Sequence, residues 1–235
     1  MAAPTVQSAT AGVVTAEASM ALERMGAYLR TLKSFEVAAT ASTEEVYANG
    51  QKLQFLQRTT YTIGGPDKMA IEVRTDQQNR RFYYNGKTLS IVAPNSRMYT
   101  QFAVTGTNGE LLTKAYDKYG IDFPLQDLFR WGSPTAVAVK PTEGFKVGTA
   151  QLGEHATEHF AFRQPGVDWQ VWIDTGDKPL PRKMVITNTE DAAQPEYVAY
   201  FNWDMAPKIA SDAFEFTPGK DDKLIDLSKA VASAK

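Results

Sequence analysis

Between Glu17 and Lys33, Leu22, Met25, Leu29 and Leu32 recur three and four residues apart, with Tyr28 alongside and the charges on the other side. That spacing predicts an amphipathic helix. At Phe35 the period changes to two. Phe35, Val37, Ala39 and Ala41 alternate with polar residues, then Leu53, Phe55, Thr59 and Tyr61, then Met69, Ile71 and Val73. Alternation of this kind predicts strands with one buried face. Asn49-Gly50 separates the first two runs, and Asn85-Gly86 separates "RRFYY" from "KTLSIVAP". Asn-Gly between alternating runs predicts type I′ hairpin turns, in which both central residues need positive φ. Phe82 and Tyr84 lead into the second turn; Leu89 and Ile91 lead out.

The middle of the chain returns to helical spacing. Leu111, Leu112, Ala115, Tyr116 and Tyr119 predict one helix. "DFPLQDLFRWGSP" predicts a second, short one, with Pro124 in its first turn and Gly132 and Pro134 ending it. Leu125, Leu128 and Phe129 share its face. Strands resume with "GFKVGTAQLG", "TEHFAFR", "VDWQVWID", "PRKMVITNT" and "EYVAYFNWD". Gln164-Pro165-Gly166 fits a type II turn, so its flanks pair as a hairpin. Phe160 and Phe162 share one face of that hairpin with Val167, Trp169, Val171 and Ile173. Trp172 stands on the opposite face with Asp168, Gln170 and Asp174, either covered by a helix or terminus or free as a contact site.

At 235 residues and 43% hydrophobic, the chain suits one sizeable domain. Residues 17–220 are expected to form it, between a disordered tail over 1–16 and a polar tail over 221–235. Net charge is −2 with scattered Lys and Arg, which gives no nucleic-acid footprint and no polybasic membrane patch. No apolar run is long enough to span a bilayer. With no Cys there is no disulfide, thiol nucleophile or Cys-based zinc site. The N-terminus lacks the basic and apolar regions of a signal peptide. It reads either as the small-residue start of a chain already cleaved or as a floppy natural terminus.

Candidate chemistry is sparse. His155-Ala-Thr-Glu158-His159 has the H-x-x-E-H form of a zinc peptidase. That chemistry needs a helix, and the string runs into a strand, where positions i and i+4 lie about 13 Å apart. No Walker loop, dinucleotide fingerprint or nucleophile elbow is present. Carboxylate pairs at Glu44-Glu45, Asp174/Asp177 and Asp221-Asp222 read as solvated turn or tail residues. No catalytic residue, metal site or cofactor is expected, and the chain is read as a non-enzyme.

The motifs "RRFYYNGKTL", "YGIDFPLQDLF", "FAFRQPGVDWQVWID", "PLPRKMVIT" and "FNWD", with the run "YNGKTLSIVAPNSRMYTQF" and the closing "DAFEFTPGKDDKLID", carry a resemblance over about residues 17 to 220. As a set they resemble a bacterial family known only as predicted periplasmic proteins of unknown function. The order of elements resembles the LolA/LolB lipoprotein-carrier superfamily. The resemblance implies an α+β fold: a half-open, strongly curved antiparallel β-sheet, an incomplete barrel, wrapped around the N-terminal helix and a helical lid. It also implies a periplasmic protein delivered by a cleaved signal, and an apolar concave face that takes acyl chains. The carriers' Arg-Pro at the turn into the third strand corresponds here to Gly65-Pro66, with Arg58 and Arg74 nearby but unmatched.

Two functions remain open on these grounds. In the first, an apolar small molecule, lipid or acyl chain is held by a monomer on the face of Phe35, Leu53, Phe55, Met69, Ile71, Val73, Phe82, Tyr84, Leu89, Ile91, Phe160, Phe162, Trp169 and Val171. Phe123, Leu128, Phe129 and Trp131 would come from the lid, which is expected to pack near Phe160, Phe162 and Trp169. In the second, the same half-barrel is a sensor or scaffold for another envelope protein. Periodicity places apolar side chains inward whether they form a filled core or an open cleft.

Overall fold

The computed structural model describes residues 12–119, 121, 123 and 141–225. Helix α1 spans Ala16–Thr31 and helix α2 spans Asn108–Tyr119. The strands are β1 (Ser34–Val46), β2 (Lys52–Gly64), β3 (Met69–Thr75), β4 (Asn79–Tyr84), β5 (Thr88–Ala93), β6 (Met98–Ala103), β7 (Glu143–Leu152), β8 (His155–Gln164), β9 (Val167–Asp174), β10 (Pro181–Asn188), β11 (Glu196–Asp204) and β12 (Lys223–Leu224). They form one open sheet in the order β12-β6-β5-β4-β3-β2-β1-β11-β10-β9-β8-β7. The β2–β6 and β7–β11 ladders are antiparallel, whereas β12 joins β6 in parallel. This is the α+β fold that the resemblance implies. No helix among the described residues is long and apolar enough to cross a membrane.

The chain forms two compact units. The first holds α1, the second half of β1, the start of β2 and β7–β11. The second holds the start of β1, the remainder of β2, β3–β6, α2 and residues 203–225.

In the first unit, Thr15 starts α1. Its Oγ1 accepts the Ala18 amide at 3.3 Å, one of the amides that a helix start leaves unpaired, and its carbonyl accepts that of Ser19 at 3.0 Å, the first bond of the helix. The part of the expected N-terminal tail at Val13–Thr15 is pinned to β7: the Thr15 amide donates to the Gly144 carbonyl at 2.8 Å, and the Gly144 amide to that of Val13 at 3.2 Å. The packed face of α1 is smaller than the leucine stripe suggests. Ala18, Ala21, Met25 and Gly26 are buried, while Leu22 and Leu29 are half-buried. Small side chains let the helix backbone approach its neighbours more closely than leucines would.

On β8 and β9 the expected apolar face forms, although Thr157 and Trp172 on the other face are buried as well. Phe160 lies opposite Val171, and Val171 opposite Met184; Phe162 lies opposite Trp169, and Trp169 opposite Ile186. The rings of Phe162 and Trp169 stack at 4.3 Å. Gly166 has φ +79°, as a type II turn requires at its second central position.

The two Asn-Gly turns differ from the type I′ expectation, because neither Asn49 nor Asn85 has positive φ. At the first, Tyr47 and Gln51 close a three-residue loop. The Gly50 amide donates to the Tyr47 carbonyl at 2.8 Å, with Gly50 at φ +81°, the geometry of a type I turn ending in a G1 bulge. At the second, Asn85 is bonded to Thr88 and Gly86 is the first central residue with φ +88°, which fits type II′. The Asn85 side chain accepts the Lys87 and Thr88 amides at 3.0 and 2.9 Å. In both turns the Asn spends its side chain on backbone amides and leaves the strained φ to Gly.

In the second unit, β2 to β6 form rows of facing residues. Ile63, Met69, Tyr84, Leu89 and Phe102 make one row; Tyr61, Ile71, Phe82, Ile91 and Thr100 make the next. Thr107 and Glu110 form a capping box at the start of α2. The Glu110 amide donates to Thr107 Oγ1 at 3.3 Å, and the Thr107 amide to Glu110 Oε2 at 2.8 Å. Of the apolar residues expected on one face of α2, Leu111, Leu112 and Ala115 are buried, but Tyr116 is 52% exposed.

The chain after β11 packs back onto the second unit. Phe214 is buried against Gly64, and Phe216 lies 5.9 Å from the Tyr83 ring and 5.3 Å from that of Tyr99. The short strand comes later, at Lys223–Leu224, so part of the expected 221–235 tail is paired with β6.

Candidate functional site

The face of the second unit that carries the Leu89 and Phe82 rows is nearly all apolar. Met69, Ile71, Phe82, Tyr84 and Leu89 are buried; Val73 and Ile91 are half-buried. Phe123 is buried on the same face, its ring edge-on to Phe82 at 5.0 Å. Phe35 is buried too, 5.5 Å from Trp203. The Tyr84 hydroxyl donates to the Gly106 carbonyl at 2.7 Å, and burial pushes its pKa up, with Asp67 and Glu110 adding to the effect. This phenol stays protonated and serves as a fixed donor.

A pocket of about 340 Å³ opens on this face between β5, β6 and α2. Leu89, Phe102, Ala103, Val104, Thr105, Leu111, Lys114 and Ala115 line it. Leu89, Leu111 and Ala115 are buried, whereas Ala103, Thr105 and Lys114 are exposed, so the pocket grades from an apolar end to a polar rim. Its helical wall is clamped to the β2–β3 turn. The Asn108 amide donates to the Pro66 carbonyl at 2.7 Å, and Asn108 Nδ2 to that of Gly65 at 2.8 Å. Of the described residues expected to line a cavity, only Leu89 borders this pocket. The sequence reading missed its α2 wall because Leu111 and Ala115 look like ordinary core positions of an amphipathic helix. The sequence signal for a firmly started helix there is Thr107-x-x-Glu110.

In the first unit, Phe160, Phe162, Trp169 and Val171 are buried, and Leu53 and Phe55 half-buried. Glu158 projects from the Phe160 side of β8 and ties it to α1. Lys146 bridges Glu158 at 2.6 Å and Glu17 at 2.8 Å, and Arg24 reaches Glu158 at 3.2 Å. The hydrogen bond from Lys146 holds the Glu158 carboxyl below its ordinary pKa, and Glu158 in turn raises Lys146. The pair's stabilisation is therefore complete between the unfolded Glu and Lys values, about 4.3 and 10.4. It is lost as pH falls through the lowered Glu158 pKa, or rises through the raised Lys146 pKa. Lys146→Met is expected to cost about 1.5 kcal/mol at neutral pH, and to flatten the stability decline at acid pH in urea titrations. An unchanged acid limb would refute the assignment.

Trp172 is covered, and among the described residues its cover comes from side chains on neighbouring strands. On the face opposite Phe160, His159, Trp172, Lys183 and Tyr200 occupy facing positions on β8 to β11. The His159 ring stacks on Trp172 at 3.8 Å, and Lys183 Nζ lies 4.5 Å over Trp172 and 5.2 Å from the Tyr200 ring. Trp172 keeps 9% of its surface exposed. Burial lowers the His159 pKa; the Gln170 hydrogen bond at 2.9 Å opposes that shift, and Lys183 adds to it. Folding thus favours neutral His159. Its contribution is whole above the unfolded value, about 6.5, and is lost as pH falls from there through the lowered folded value. A denaturation series from pH 7.5 to 5 should show wild type losing stability faster than His159→Phe. Parallel curves would rule this out.

The H-x-x-E-H string lies on strand β8, with the two histidines on one face and Glu158 on the other. His155 Nδ1 lies 3.6 Å from Asp174, which is bound by Arg182 at 2.7 Å. Asp174 is thus an ion-pair partner more than a solvated turn residue. Glu44 is likewise within β1, paired with Lys52 at 2.9 Å and accepting the Glu196 amide at 3.0 Å. Among the described residues, no cluster of His, Asp and Glu has the arrangement of a metal site. The expected lid residues Leu128, Phe129 and Trp131 lie outside the described residues, and so does their expected packing on Phe160, Phe162 and Trp169.

Residues 18–228 match the model of a family described as predicted periplasmic protein (DUF2092). No curated protein matches the chain. Solved structures similar to it include an uncharacterized conserved protein from Thermus thermophilus, at 11% identity and a TM-score of 0.49, covering 88% of this chain and 97% of that one. LprF from Mycobacterium bovis is similar at 15% identity and a TM-score of 0.47, covering 85% and 99%. A LolA superfamily protein from Nitrosomonas europaea is similar at 8% identity and a TM-score of 0.34, covering 85% and 97%.

Proposed function

We propose that this chain, which belongs to the predicted periplasmic protein family matched over residues 18–228, is a non-catalytic periplasmic protein that binds the hydrocarbon part of a lipid or acylated ligand. The observation that carries this reading is the pocket of about 340 Å³ between β5, β6 and α2, with its buried Leu89, Leu111 and Ala115. Small-molecule sites run from roughly 300 to 1,000 Å³ and are mostly apolar with a few polar groups at fixed positions. Transfer of an acyl chain into such a pocket supplies about 0.8 kcal/mol per buried CH₂. Met69, Ile71, Phe82, Tyr84 and Phe123 continue the same apolar face as a packed core behind the pocket.

Native mass spectrometry of the purified protein, followed by solvent extraction, tests the reading directly. A co-purifying lipid, or saturable binding of one member of a lipid panel, is expected. A protein that carries nothing and binds none of the panel would remove the proposal. Ala115→Phe should fill the pocket from α2 and weaken binding at least tenfold, with the far-ultraviolet spectrum unchanged. Undiminished binding would place the ligand elsewhere.

An apolar patch around Trp172 would favour the second reading, a sensor or scaffold that binds another envelope protein. With Trp172 covered by His159 and Lys183, that patch gives it no support.

A further inference from the structure

The rim of the pocket carries a cation. Lys114 is exposed on α2 and lines the pocket opposite its buried end at Leu89, Leu111 and Ala115. Its Nζ donates to the Thr105 carbonyl at 2.8 Å, which holds the ammonium against the segment between β6 and α2 and keeps it from swinging freely in solvent. An ammonium has three donors, so two remain after that bond. Glu110, one turn earlier on α2, gives Oε2 to the Thr107 amide at 2.8 Å, so one carboxylate oxygen is already engaged in the cap. The pocket therefore has an apolar floor and a positioned donor cation at its edge.

We infer that the ligand is a chain ending in an anionic head, a carboxylate or a phosphate, with the head on Lys114 and the chain running toward Leu89 and Leu111. This rests on the apolar-ligand reading and adds the chemistry of the head. A chain alone would bind with either end at the rim. A charge-assisted hydrogen bond from Lys114 to the anion fixes its direction. The anion also replaces water at the ammonium without needing to displace the Thr105 carbonyl.

The test uses four twelve-carbon probes below their micellar concentrations: dodecanoate, dodecyl phosphate, dodecanol and dodecyltrimethylammonium. Binding to the whole protein is measured by calorimetry. At least one anion is expected to bind tenfold or more tighter than dodecanol, with the ammonium probe weakest. The stronger of the two anions distinguishes a free acid from a phosphorylated head. Lys114→Met should erase the anion's advantage while dodecanol binding stays within twofold, and Lys114→Arg should restore most of it. Equal binding of all four probes, or an anion preference that survives Lys114→Met, would overturn the inference and leave the apolar reading standing. Failure of every probe to bind would overturn both. Thermal melts of each variant show whether a loss of binding reflects unfolding; in that case the Arg variant and the wild-type probe ranking decide.

Discussion

Phe82→Ala is expected to lower the unfolding free energy by about 3–5 kcal/mol, which for a chain of this length is a fall of roughly 6 to 20 °C in Tm. Phe82 is buried between Ile71 on β3 and Ile91 on β5, and its face supports the Phe123 ring at 5.0 Å. Truncation removes the side chain's own burial and leaves a cavity that two neighbouring strands, held by ladder hydrogen bonds, cannot close. It also removes the ring beneath Phe123. Calorimetric melting and a urea titration measure the loss. A shift below about 2 °C would mean that this side chain is not part of a packed core.

Gly144→Val should cost about 2–3 kcal/mol, by crowding where Phe82→Ala acts by loss. A Cβ at Gly144 would stand 2.5 Å from the Phe162 ring and 3.2 Å from Val14. The backbone cannot yield easily. Gly144 lies opposite Phe162 in the β7–β8 ladder and is bonded on its other side to Val13 and Thr15. The added bulk must push either the aromatic ring off Trp169 or the segment preceding α1 off β7. Phe162→Leu should relieve part of the clash, so the double variant is expected to be more stable than the sum of the single losses predicts. Strict additivity would sink this account. Limited proteolysis before Thr15 would show which side gives way.

Much of this architecture is written locally. The alternation of Phe160, Phe162, Trp169 and Val171 put those four side chains on one face before any partner strand was known, because a strand's side chains alternate whatever it pairs with. Helix α1, the strands from Phe35 onward and the Pro165-Gly166 turn follow from spacing and from the φ that Gly allows. The strand reading of His155–His159 followed in the same way. Local chemistry misled where a side chain had two uses. Asn49 and Asn85 mark turns correctly, but their carboxamides bond the backbone, and that choice between turn types depends on the strands being joined.

Tertiary structure alone decided the rest, because it depends on which residues far apart in sequence come to face each other. Trp172 breaks the polar face of β9, and only the register of neighbouring strands brings His159 and Lys183 over it. The pairing of Lys146 and Glu158 with Glu17 and Arg24 joins residues more than a hundred positions apart, and no spacing rule reaches that far. The apolar pattern of Leu111 and Ala115 is the same for a filled core and for a pocket wall. The distance between α2 and the β5–β6 edge separates the two. The Asn108 bonds to Gly65 and Pro66 anchor the start of α2, a contact that the helix's own periodicity does not contain.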